Sequence, residues 1–149
     1  MDQVVAGLLG VLLSSSIPVA GASYGIITTG VSMAGAGTER PELIARLLLP
    51  LVLAEAIAIY GLLISIMLLG KLPIMMTSYE ASMKGFTAGG IMAICGLMAS
   101  IAIAYTGSAM AGAGVERPEI ITRILLAVVL AEALAIYGLL ISIMLISTI

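Results

Sequence analysis

Two glutamates stand apart from every other charged residue in this chain. Glu55 and Glu132 are embedded in apolar runs, within Leu53-Ala54-Glu55-Ala56 and again within Leu130-Ala131-Glu132-Ala133. Glu55 lies nine residues after Arg46 and sixteen before Lys71, so about 13 Å and about 24 Å along a helix from the flanking cations. Glu132 lies nine residues after Arg123. These spacings put both carboxyls near the middle of a bilayer, where a charge costs at least ~2.5–3.5 kcal/mol. The helical neighbours of Glu55 are Leu51, Val52, Ala58 and Ile59, and those of Glu132 are Val128, Val129, Ala135 and Ile136. None of them stabilises an anion, and no Lys or Arg lies at that depth. Desolvation penalises the charged form. Each carboxyl is therefore expected to rest protonated and to ionise only where something outside the chain supplies water or positive charge. That is the chemistry of a carried proton. A structural hydrogen bond between helices is the plainer alternative, but the same costly residue twice at one depth favours the carrier.

Tyr60 and Tyr137 follow the two glutamates by five residues. Five residues turn a helix by roughly 140°, so neither tyrosine serves its own glutamate easily. Tyr60 can reach a carboxylate on a neighbouring helix, such as Glu132, and Tyr137 a glutamate of the next chain. An ordinary membrane tyrosine accounts for both equally well. Pro50 stands where the second copy has Ala127. It is expected to kink the second helix one turn before Glu55 and to make the two glutamates inequivalent.

The elements that hold these residues follow from composition. The chain is 62% hydrophobic and only 9% charged, against roughly 25% charged in soluble domains, so lipid is its expected solvent. A net charge of −2 with no basic tract argues against nucleic acid as a partner. There is no histidine and one cysteine, Cys95, which excludes histidine catalysis, Cys/His zinc sites and an internal disulfide. Cys95 reads as a small buried residue. No cofactor or metal is expected. The start, Met1-Asp2-Gln3, has no positive segment of a removable signal, and the first apolar run is expected to stay as a membrane anchor.

Apolar segments cover 4–33, 43–69, 85–110 and 120–149, each longer than the ~20 residues that span a bilayer. The fold class is all-α: four transmembrane helices in two tandem hairpins. Residues 1–70 form the first hairpin, 71–84 the connecting loop and start of the third helix, and 85–149 the second hairpin. Pro41 and Pro118 suit the first turn of helices two and four, and Glu39, Glu42, Glu116 and Glu119 suit the positive dipole there. Residues 30–68 align without gaps with 107–145. Two helices per unit make this a parallel repeat, which can extend into a ring. Arg40, Arg46, Arg117 and Arg123 against Lys71 and Lys84 put loops 35–42 and 112–119 in the cytoplasm and both termini outside. Small residues recur every three or four positions in helix one (Gly7, Gly10, Gly21, Gly25) and helix three (Gly85, Gly89, Gly96), permitting close approach. Helices one and three are expected as a tight inner layer, two and four as an outer layer.

Gly37-Thr38-Glu39-Arg40-Pro41-Glu42-Leu43-Ile44, the two Ala-Glu-Ala segments and Ala-Ile-Tyr-Gly-Leu at 58–62 and 135–139 resemble the proteolipid, or c-ring, subunit of rotary ATPases. The resemblance covers essentially the whole chain and is closest to the V-type and archaeal A-type branch. It implies a membrane subunit that is not an enzyme on its own. Copies would form a homo-oligomeric or mixed proteolipid ring in lipid, turning against a stator membrane subunit whose arginine meets each glutamate in turn. It also implies docking of a central-stalk subunit on the loops carrying Glu39, Arg40, Glu116 and Arg117. The membrane would be the cell membrane in a prokaryote, or a vacuolar or other endomembrane in a eukaryote. Many V-type proteolipids have lost the carboxylate from one hairpin, whereas both remain here. More ions per turn favours synthesis over steep pumping, so a synthase rotor and a V-type variant both stay open.

Sodium-binding members of that family surround the glutamate with Gln and hydroxyl ligands. Here the only glutamine is Gln3, there is no asparagine, and alanine follows both glutamates. Hard cations need several oxygen ligands, so protons are expected rather than sodium. A small proton-coupled multidrug transporter also has four helices and a membrane glutamate, but it needs an aromatic pocket for its cations. This chain has no Trp, one Phe and five scattered tyrosines. A structural pore with no ion chemistry leaves the paired glutamates unexplained.

Overall fold

The computed structural model describes residues 2–149. Four long helices account for nearly all of them: α1 (Gln3–Glu39), α2 (Ile44–Met75), α3 (Tyr79–Glu116) and α4 (Ile121–Ser147). All four are long and apolar enough to cross a membrane. At 1.5 Å per residue, the 37 residues of α1 reach about 55 Å. The hydrocarbon core is ~30 Å thick, so the ends of α1 project beyond it.

The helix ends repeat as faithfully as the sequence. α1 and α3 stop at Arg40 and Arg117, whose φ/ψ values are −138°/85° and −139°/87°. Each precedes a proline, and the proline ring bars its predecessor from the helical region. The amides of Arg40 and Arg117 donate to the carbonyls of Ala36 and Ala113, both at 2.8 Å. Short 3-10 turns at Pro41–Leu43 and Pro118–Ile120 then start α2 and α4, where a proline loses no hydrogen bond. At the other end of the bundle, Asp2 caps α1 and Ser78 caps α3.

The connection between hairpins is shorter than segment 71–84. α2 continues through Lys71 and Pro73 to Met75, and α3 begins at Tyr79, leaving only Met76–Ser78 between them. Lys71, Glu80 and Lys84 end the stretch suited to lipid without ending the helices. A charged side chain costs little to a helix in water, where Glu80 and Lys84 also pair at 2.8 Å one turn apart.

α1 and α3 pack face to face, α2 lies against both, and α4 lies against α3 and α2. The glycines explain the tight central pair. A Cβ on Gly10 would run into the carbonyl of Gly85, and one on Gly89 into the carbonyl of Gly10. A Cβ on Gly21 would stand 3.0 Å from Ser100 Oγ, and one on Gly96 3.1 Å from Pro18 Cβ. The small-residue stripes are thus used within one chain, to bring α1 against α3. Two hydroxyls tie the layers at equivalent positions. Ser65 Oγ on α2 donates to the Val11 carbonyl at 3.1 Å, and Ser142 Oγ on α4 to the Ala88 carbonyl at 2.8 Å.

Candidate functional site

The two glutamates occupy different surroundings. Glu132 is half-buried where α4 meets α2, flanked on its own helix by buried Ala131, Val128 and Ala135. Tyr60 reaches across from α2, and its Oη donates to Glu132 Oε1 at 2.8 Å. The 140° offset that turns Tyr60 away from Glu55 turns it toward α4. A phenol on one carboxyl oxygen leaves the other free to hold or release a proton. Glu55 is exposed, although its neighbour Ala54 is fully buried against Gly25 of α1. Tyr137, on the far side of α4, is 60% exposed. Within one chain, the structure joins Tyr60 to Glu132 and leaves Glu55 and Tyr137 exposed.

No cation pairs with either glutamate among the described residues. The ion pairs there are Lys84–Glu80 and a loose Arg40–Glu42 contact at 3.9 Å, both at polar helix ends. No cluster of three His, Cys, Asp or Glu side chains suits a metal among the described residues. Gln3 is far from the site, its amide donating to the Met76 carbonyl at 2.8 Å. α2 runs unbroken through Pro50, which is buried; a Cβ on Gly107 of α3 would come within 2.9 Å of its ring.

The loop residues converge more than their separation suggests. Glu39 and Glu116 line one groove of about 470 Å³ between the ends of α1 and α3, together with Ser32, Ser108 and Gly112. Arg40 and Arg117 follow them as the helix-ending residues. The sequence alone does not mark Ser65 and Ser142 as the residues that tie α2 to α1 and α4 to α3. Their one signal was recurrence at the repeat spacing within otherwise aliphatic helices.

Residues 9–68 and 86–145 each match the ATP synthase C-subunit family. The chain belongs to that family. The two matched stretches coincide with the two hairpins, so each hairpin is one copy of the family's unit. Among curated relatives, the V-type proton ATPase proteolipid subunit of Dictyostelium discoideum is 35% identical over 142 residues, 93% of this chain and 71% of the relative. A V-type proton ATPase 16 kDa proteolipid subunit of Caenorhabditis elegans is 32% identical, covering 93% of this chain and 88% of the relative. The 16 kDa proteolipid subunit of the Rattus norvegicus V-type proton ATPase is 31% identical over 139 residues, 93% and 89% of the two chains. Family membership and four long apolar helices make this a multi-pass integral membrane protein.

Proposed function

We propose that this chain is the rotor-ring subunit of a proton-translocating rotary ATPase or ATP synthase, and that Glu55 and Glu132 each carry one proton. The observation that carries the reading is the pair itself. Two carboxyls stand at equal depth in repeat-equivalent helices, without a cationic partner among the described residues, in a chain similar to V-type proton ATPase proteolipids. In lipid each carboxyl travels protonated and neutral, because the charged form is penalised there. Release needs a compensating charge, which an arginine of the stator membrane subunit supplies as each outer helix passes. Water on that side takes the proton, and the carboxyl takes another before re-entering lipid. Tyr60 holds the Glu132 carboxyl in a fixed orientation between releases. The loops with Glu39, Arg40, Glu116 and Arg117 face the cytoplasm and meet the central stalk. The chain contributes the moving carrier and is not itself an enzyme.

Carbodiimide labelling in intact membranes tests this, since a hydrophobic carbodiimide reacts with protonated carboxyls. Glu55 and Glu132 should both label, and labelling should fall as pH rises. Absence of label on both residues sinks the protonated-carrier reading. Millimolar sodium at fixed pH should leave the labelling unchanged, and clear protection by sodium would reassign the cargo from protons to sodium.

A further inference from the structure

The contact between hairpins inside one chain gives a template for the contact between chains. The repeat advances by 77 residues, as in Glu55 to Glu132 and Gly30 to Gly107. Within the chain, Gly10 of α1 meets Gly85 of α3, Pro18 meets Gly96, and Gly21 meets Ser100. Advancing every α1 residue by 77, and moving every α3 residue back by 77, gives Thr87 with Leu8, Cys95 with Val19, and Met98 with Ser23. The first of each pair is on α3 and the second on α1. They cannot meet within one chain, because α3 already uses its opposite face to receive α1.

All of these residues but Cys95 are exposed in the single chain. Leu8, Val19 and Met98 are 48%, 46% and 53% exposed, and Thr87 and Ser23 are also exposed. Cys95 is half-exposed and lies against Gly138 of α4, as its counterpart Pro18 lies against Gly61 of α2. The same advance carries Tyr60–Glu132 to Tyr137 and Glu55, the two site residues left exposed within the chain. Every shifted pair joins one copy to the same neighbour.

We propose that a second copy of this chain docks with the α1 face of Leu8, Val19 and Ser23 on the α3 face of Thr87, Cys95 and Met98, and that Tyr137 completes the site of Glu55 in that neighbour. This deepens the rotor-ring reading and rests on it. The junction between copies is also wider than the one within a chain. Gly10–Gly85 contact becomes Thr87–Leu8, and Gly21–Ser100 becomes Met98–Ser23, so side chains stand where backbones touch. The ring alternates close and wide α1–α3 spacings, with Glu132 served inside a chain and Glu55 served across a boundary.

One substitution tests the register. Val19→Cys supplies a thiol that should meet native Cys95 of the adjacent copy. Oxidation of membranes with copper phenanthroline should then give a non-reducing ladder at whole multiples of the monomer mass, while the unmodified chain gives none. Ser23→Cys with Met98→Cys, in a Cys95→Ser background, should give the same ladder independently. Dimers alone would mean a two-fold contact and overturn the register. Monomers alone from both variants, with the native-mass oligomer intact in mild detergent, would overturn it too while leaving the ring in place. Absence of any large oligomer would overturn the ring itself. Equal α1–α3 spacings around an imaged ring would overturn the alternation.

Discussion

At the scale of single residues, the candidate site is a carboxyl and a phenol, 72 residues apart in sequence, brought together from the two repeats. Tyr60→Phe removes the donor and keeps the ring. Hydrogen bonds between membrane helices average ~0.6 kcal/mol and reach ~1.7, so the freed Glu132 carboxyl should reach carbodiimide about 3- to 20-fold faster in intact membranes. Glu55 labelling should not change, because Tyr60 does not touch it. Equal acceleration at both glutamates would point to a general loosening of the helices instead. Glu55→Gln and Glu132→Gln make a separate prediction. An amide cannot release a proton, and each substitution recurs in every copy of a ring. Either alone should reduce ATP-driven acidification of vesicles to background while the oligomer still assembles. Normal acidification in one of the two would mean that its glutamate is not a carrier. Both carboxyls were legible in the sequence because each is the one charged residue in the middle of an apolar run, and the two recur at one depth. The direction of Tyr60 was legible as an angle from Glu55. Its partner, Glu132, was legible only as one candidate beside an ordinary membrane tyrosine, because a single helix does not reveal which neighbour stands on that side; the 2.8 Å hydrogen bond decides it.

At the scale of helices, backbone approach sets the tolerance. Leucine at Gly10 would have to enter the carbonyl of Gly85, whereas Gly35 has open space around it. Overpacking costs typically 1–3 kcal/mol and more where backbone is met. Gly10→Leu should thus lower the thermal midpoint of the detergent-solubilised chain or prevent its accumulation, and Gly35→Leu should do neither. Similar loss from both would show that the glycines matter for something other than the α1–α3 contact. All four helices were legible because apolar length is the strongest signal a membrane chain carries. Their ends were not. Gly35, Ala36 and Gly37 continue α1, and Lys71 to Met75 continue α2, because polar or small residues mark where lipid ends rather than where hydrogen bonding does. The glycine stripes announced a close contact without saying whether it lay within a chain or between chains. Only the placement of α3 directly against α1 decides that.

At the scale of the whole molecule, aliphatic surface is abundant and individually dispensable. Leu63 and Leu140 are 42% and 54% exposed on α2 and α4. Substitutions away from buried features usually change stability by no more than ~0.5 kcal/mol. Leu63→Ala and Leu140→Ala should leave the native oligomer mass and the acidification rate close to those of the unmodified protein. A collapse of the oligomer in either would place that leucine in a contact rather than against lipid. The short connection at Met76–Ser78 has a consequence of a different kind. It joins the two glutamate-bearing hairpins covalently, so they are inherited, inserted and counted together. A ring built only from this chain holds an even number of glutamates whatever its circumference. With each glutamate carrying one proton, as proposed above, its gear ratio, ions moved per revolution, can change only in steps of two. A lineage altering the size of such a rotor would shift coarsely between gears that a single-hairpin protein divides more finely.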